Sequence, residues 1–157
     1  MGDAVLTSAG CVEEAVLDAA SLTLIPAGTD VEATAAFRGN YQTALYGMQR
    51  GRLQAGETLL VHGAAGGVGL VTVDVGKLMG ATVIATDGSD EKLEIVGELG
   101  ADHLINYSDG FRDQVKELTG GRGADVIFDP VGAFLGRLDH RVRSARASRS
   151  GAAVIGG

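Results

Sequence analysis

The sequence predicts an α/β fold built on a parallel sheet, and three observations carry that expectation. From residue 58 onward five short β-branched runs recur: LLVH, TVIAT, HLIN, DVIFD and AAVIG. With Val61, Val83, Leu104, Val126 and Ala153 as markers, they stand 22, 21, 22 and 27 residues apart, each interval long enough for a crossover helix. The runs do not alternate polar with apolar residues, which suits strands covered on both faces. A turn almost devoid of side chains, HGAAGGVGL at residues 62–70, follows the first run.

Composition sets the outer limits. The chain has 157 residues, 45% of them hydrophobic, and only two prolines, the size of one domain with a real core. No apolar run reaches the 18 or so residues that span a bilayer, and MGDAVLTSAG lacks the basic flank and apolar stretch of a secretory signal. A soluble cytoplasmic protein is the expectation. The single cysteine, Cys11, has no internal disulfide partner and no Cys/His cluster around it, so structural zinc is not expected. The net charge is −7, yet residues 137–149 hold five arginines and one aspartate. An acidic body argues against nucleic acid as the main partner, because phosphate backbones are bound by Lys and Arg. The stretch RVRSARASR reads as a solvated surface segment, with a basic tail for an anionic partner as the alternative.

Along the chain, CVEEAVLD and LTLIP read as short strands, DVEATAAF and YQTALYGMQ as two short helices, and QAGE as the turn feeding the first parallel strand. After the glycine-rich turn, Val68, Val71, Val75 and Leu78 recur at helical spacing, with Gly80 at the expected C-terminal cap. Gly76 lies inside this helix and is expected to weaken it. SDEKLEIVGELG opens on Ser89 as a candidate N-cap, carries Leu93, Val96 and Leu99 at helical intervals and stops at Gly100. A third helix is expected at FRDQVKELTGG, with Phe111, Val115 and Leu118 inward.

Glycine loses more entropy on ordering than any other residue, about 0.5–1 kcal/mol relative to Ala. A cluster of glycines therefore needs a reason. One is a tight strand-to-helix turn and nothing more. The other is a loop whose backbone N–H groups and helix N-terminus face an anion. Context favours the second: the turn follows a strand, opens a helix, and is followed 18 residues after Gly69 by Asp87 at the end of the next strand. Ala64-Ala65-Gly66-Gly67-Val68-Gly69 fits GxGxxG with alanine at the first glycine. Gly66 would leave room for a pyrophosphate, and Gly69 would let the helix lie close to the strand.

These residues carry a family resemblance. LQAGETLLVHGAAGGVGL, then KLMGATVIAT, DEKLE, ELGADHLINY, ELTGGRGADVIFDPVG and a closing VIGG, resembles the coenzyme-binding domain of the zinc-independent medium-chain dehydrogenase/reductases, nearest to the quinone oxidoreductase, or zeta-crystallin-like, group. The resemblance implies a doubly wound, Rossmann-type parallel sheet over residues 29–157, with residues 1–28 as the remnant of a GroES-like catalytic domain. It implies NADPH or NADH as cofactor and hydride transfer to a quinone or an activated alkene such as an enone. It places Asn40 and Tyr41 near nicotinamide and substrate, with Tyr41 as a weak candidate proton donor. Ala65, Gly66, Gly67, Val68 and Gly69 fall at the pyrophosphate, and Val131 and Gly132 beside the nicotinamide. Gly39 stands where zinc-dependent relatives supply a cysteine ligand, implying a metal-free mechanism.

The two dinucleotides are signalled at once. Ser89, Lys92 and Tyr107 match positions that hold the 2′-phosphate of NADPH, whereas Asp87 matches the ribose-binding acid of NADH users and would repel that phosphate. A bland alternative has Asp87 facing solvent and Lys92 covering a helix face. His62 reads as a core-edge residue more readily than as a base, and Asp129 as a turn cap or a residue facing the ligand crevice. Two departures from the family stand out. MGDAV matches a point well inside the family's N-terminal domain, and the pattern fades from Ala133 to Ser150, read as a poorly packed helix, a disordered loop or a reading-frame disturbance. A dinucleotide-binding module or redox sensor without turnover is thus the alternative to an enzyme. Relatives commonly pair through a strand at the sheet edge, so a homodimer is the assembly the resemblance implies.

Overall fold

The computed structural model describes residues 2–10 and 12–132. Cys11, the arginine-rich segment with His140, and the expected closing strand AAVIG lie outside the described residues. The chain divides into two compact units, the first ending at Gly39 and the second beginning at Asn40.

In the first unit, β1 (Val5–Leu6) pairs antiparallel with β2 (Thr23–Leu24), Val5 opposite Leu24 and Leu6 opposite Thr23. The expected strand in CVEEAVLD does not form. Val16 is fully exposed at 103% and Val12 at 61%, so these β-branched residues have neither a ladder partner nor a face to bury. The two short helices expected beyond residue 30 are one helix, α1 (Val31–Gly51), which runs on through Gly39 and Asn40. Asp30 starts it, its Oδ1 accepting from the Glu32 and Ala33 N–H groups at 2.9 and 3.2 Å.

The second unit is the parallel sheet. β3 (Thr58–His62), β4 (Thr82–Asp87), β5 (His103–Asn106) and β6 (Val126–Phe128) are ordered β5-β4-β3-β6, every pair parallel. Between them lie α2 (Gly67–Leu78), α3 (Asp90–Glu98) and α4 (Arg112–Leu118). Successive strand residues go to opposite faces. Leu59, Val61, Val83, Ala85, Val126 and Phe128 pack with Ala44, Met48, Val73 and Val96 from α1, α2 and α3. Leu60, Ile84, Ile105 and Ile127 pack with Phe111 and Val115 at α4. Both faces are covered by helices, which is why the strands carry no polar alternation.

Gly76 has a different role from the one expected. A Cβ there would stand 2.6 Å from Leu59 Cδ2 and 3.2 Å from Val83 Cγ2, so its bareness lets α2 lie close on the sheet. Leu118, expected inward, is 43% exposed, and Leu99, placed at a helical interval, is 45% exposed, because α3 and α4 end at or just before them and only Leu93, Val96 and Val115 of the two helices reach the core.

The strand order reverses at β3. Chain progress runs outward through β4 and β5, then returns to the other side of β3 as β6. The carboxyl ends of β3 and β6 flank that switch point, where parallel α/β sheets leave a ligand crevice.

Candidate functional site

The turn after β3 is shaped by backbone constraints. Gly63 has φ +56°, a left-handed conformation that costs a residue with a Cβ. Its carbonyl accepts from the Gly66 N–H at 3.0 Å, and the Gly66 carbonyl accepts from Leu70 at 2.8 Å, starting α2. A Cβ on Gly69 would fall on the Gly63 carbonyl oxygen and 2.8 Å from Ala64 Cα. Gly69 is thus required by the closeness of helix and turn, whereas Gly67 is exposed, with Asn40 Nδ2 3.5 Å from the place of a Cβ.

This geometry leaves the first turn of α2 unsatisfied. Its N-cap, Gly66, has no side chain to cap it, and no acidic residue stands in that turn. The N–H groups of Gly67, Val68 and Gly69 have no partner among the described residues. Three free donors stand together at the positive end of a helix of 12 residues, an arrangement chemically suited to an anion.

A crevice of 450 Å³ runs past these donors. The glycine turn lines it from Gly63 and Ala65 to Gly69, with Asp87, Lys92 and Tyr107 at one side and Pro130 and Val131 from the turn after β6 at another. Of the residues expected from the sequence, nine meet here: Ala65, Gly66, Gly67, Val68, Gly69, Asp87, Lys92, Tyr107 and Val131. Ser89 is the N-cap of α3, though its side chain makes no capping bond, and it does not line the crevice. Gly132 stands just outside. Gly63 and Pro130 line the crevice without having been anticipated; a glycine directly after β3 and a proline two residues past β6 are the local signals that could have found them.

Asp87 does not face solvent idly. Its Oδ2 accepts from the Ala65 N–H at 3.3 Å and its Oδ1 from the Gly88 N–H at 2.8 Å, so the carboxylate is fixed at the crevice edge. Gly88 gives Tyr107 room: a Cβ there would stand 3.0 Å from the Tyr107 hydroxyl oxygen.

Neither Asn40 nor Tyr41 is among the crevice-lining residues, although Asn40 reaches the edge of the glycine turn at Gly67. The Tyr41 hydroxyl donates to Asp74 Oδ2 on α2 at 2.8 Å. That bond, with burial and the Asp74 charge, raises the phenol above its ordinary value. His62 is fully buried, its Nδ1 2.7 Å from Thr86 Oγ1 and its ring edge-on to Phe111 at 4.7 Å. It belongs to the core edge.

Asp129, directly after β6, is fully buried. Its Oδ1 accepts from the Val131 and Gly132 N–H groups at 3.0 and 2.9 Å, while Oδ2 has no partner among the described residues. Also among the described residues, no three His, Cys, Asp or Glu side chains come together to hold a metal ion, and no helix is long and apolar enough to cross a membrane.

Residues 67–138 match the family described as zinc-binding dehydrogenase. The quinone oxidoreductase-like protein 2 of Mus musculus is 41% identical over 123 residues, 76% of this chain and 35% of that protein. The 2-haloacrylate reductase of a Burkholderia species is 44% identical over 85 residues, 54% of this chain and 26% of that enzyme. Among solved structures, the Escherichia coli quinone oxidoreductase complexed with NADPH superposes with a TM-score of 0.74 at 30% identity, covering 79% of this chain and 39% of that one. The chain thus spans about a third of the length of the quinone oxidoreductase-like relatives it matches.

Proposed function

We propose a function from one premise: this chain belongs to the medium-chain dehydrogenase/reductase superfamily, among its quinone-oxidoreductase-like members. On that premise the crevice at the β3/β6 switch point holds a nicotinamide dinucleotide, and the intact protein is an NAD(P)H-dependent oxidoreductase acting on a quinone or an activated alkene. The observation that carries this is the set of three unpartnered N–H donors at the start of α2, beside a turn where a Cβ on Gly69 has no room.

The residues fit such a group part by part. Gly67, Val68 and Gly69 donate to the diphosphate, aided by the helix dipole. Asp87, anchored by two backbone N–H groups, accepts from the ribose hydroxyls of the adenosine half. Lys92 and Tyr107 line the same end, where a 2′-phosphate would meet both an ammonium and the Asp87 carboxylate. The opposing charges support NADH with residual NADPH use. Val131, 55% exposed, offers an apolar wall at the other end, and Ser89 and Gly132 take flanking roles. When bound, the reduced nicotinamide supplies a hydride. The protein's contribution is to fix the ring's position, so that donor and acceptor carbons meet at short range.

We assign residues 1–28 to the remnant of a catalytic domain and residues 29–157 to the coenzyme domain, with Asn40 next to the glycine turn on the side from which an acceptor would enter. No metal takes part in this scheme. A second reading, a dinucleotide-binding module without turnover, is supported by the crevice lining itself: among the described residues it offers phosphate donors, a ribose acceptor and an apolar wall, but no proton donor aimed at an acceptor. Titration with NADH and NADPH, followed by a quinone-reduction assay, tests both. Binding with turnover supports the enzyme, binding without turnover the module, and no binding to folded protein sinks both.

A further inference from the structure

We propose that Asp129 is a positioning residue for the nicotinamide half of the dinucleotide, an inference that rests on the dinucleotide reading above. Its Oδ1 gathers the N–H groups of both Val131 and Gly132. That double acceptance fixes the turn after β6, and the turn brings Val131 Cγ2 to 2.6 Å from where a Cβ on Gly63 would stand. Val131 is therefore packed directly over the left-handed glycine that opens the opposite wall. The separation between the two crevice walls at this end is set by one carboxylate oxygen.

The assignment of this end follows from the others. Asp87 and Tyr107 line the adenosine side and the α2 donors take the diphosphate, which leaves the Pro130–Val131 wall for the second nucleoside. Asp129 also consumes the two N–H groups of its turn, so the wall presents the Val131 side chain in place of backbone donors. The second oxygen, Oδ2, stays buried without a partner among the described residues. An unsatisfied buried carboxylate oxygen weakens a fold, and such departures from local stability concentrate where geometry serves a site.

The test compares NADPH, NADH and ADP-ribose, which lacks nicotinamide, by calorimetry on the full chain. Asp129→Asn keeps an acceptor for the two N–H groups; Asp129→Leu is close in shape and has none. With misplaced walls costing contacts at one end only, Asp129→Leu is expected to weaken the better-bound dinucleotide by about fivefold or more. ADP-ribose should bind as to the parent, and Asp129→Asn should restore dinucleotide affinity to near the parent value. Equal losses for ADP-ribose and dinucleotide, or no loss for either, would overturn the role of Asp129 alone. A parent chain that binds none of the three would overturn the dinucleotide reading and this inference with it. Where circular dichroism finds Asp129→Leu unfolded, Val131→Ala probes the same wall: a loss confined to the dinucleotide supports the proposal, and an equal or absent loss overturns it.

Discussion

The Asp87 carboxylate accepts a hydrogen bond from the Ala65 backbone N–H at 3.3 Å, tying the end of β4 to the glycine turn that follows β3. One side chain thus both ties down the glycine turn and lines the crevice, where the proposed dinucleotide would bring a ribose or a 2′-phosphate.

Replacing it separates those effects. Asp87→Ser removes a like charge from the 2′-phosphate position, so the NADPH-to-NADH affinity ratio is expected to rise about tenfold. Loss of the tie to Ala65 should lower stability by roughly 1 kcal/mol. Parallel calorimetry and urea melts read the two; an unchanged affinity ratio means that Asp87 does not select the dinucleotide.

The two glycines that open α2 should respond differently to alanine. Gly69→Ala drives a Cβ into the Gly63 carbonyl and the Ala64 backbone, an overpacking expected to cost about 1–3 kcal/mol. Gly67→Ala meets only Asn40 Nδ2 at 3.5 Å, so the fold is expected to tolerate it, while dinucleotide affinity falls because the exposed methyl crowds the anion. Thermal melts of equal midpoint for the two variants would contradict the geometry.

How much of this was legible in the sequence follows from the range of the forces involved. The β3–β6 strands could be read because a buried parallel strand writes itself as a continuous β-branched run. The glycine-rich turn could be read because φ and close approach demand glycine locally. The fusion of two expected helices into α1 was not legible: Gly39 and Asn40 looked like a break, and helix propensity is a weak prior that context overrides. Nor was the purpose of Gly76, whose neighbours Leu59 and Val83 belong to the strands before and after its helix. The Asp87–Ala65 and Tyr41–Asp74 bonds join different elements, and spacing along a chain cannot announce them.

Tyr41 offers a spectroscopic check. Its hydrogen bond to Asp74 raises the phenol above 10.0, so the neutral form is favoured in the fold. That stabilisation is present below pH 10 and is lost as pH rises through the folded value. Tyrosinate absorbance should resolve a tyrosine titrating late, and Asp74→Ala should bring it back toward the ordinary phenol value. Unchanged titration curves would mean that the bond is absent in solution.

Lys77 and Asp102 join α2 to the loop before β5. Lys77 Nζ donates to both Asp102 oxygens at 2.7 Å, and Oδ2 also accepts from the Val83 N–H at 2.7 Å. Burial pushes the Asp102 carboxyl upward, but the Lys77 and Val83 bonds and the nearby positive charges outweigh it, so the carboxyl is held below its ordinary value of 3.8. A depressed acid stabilises the fold above its unfolded value and loses that contribution as pH falls through the folded one. Both side chains are about a third exposed, so Lys77→Met should cost under about 1 kcal/mol at neutral pH. Asp102→Ala, which also abandons the Val83 N–H, should cost more, about 1–2 kcal/mol. Urea melts should find the Asp102→Ala deficit shrinking as pH drops below 3.8; a deficit independent of pH would contradict the assignment.

The most direct test of the anion site is a titration of the isotopically labelled chain with NADH and NADPH, followed by amide NMR. Hydrogen bonding to a diphosphate should move the Gly67, Val68 and Gly69 amide protons downfield, and ADP-ribose should reproduce those shifts. Amide signals at these three positions that stay put at saturating nucleotide, in protein whose spectrum is that of a folded chain, would contradict the account.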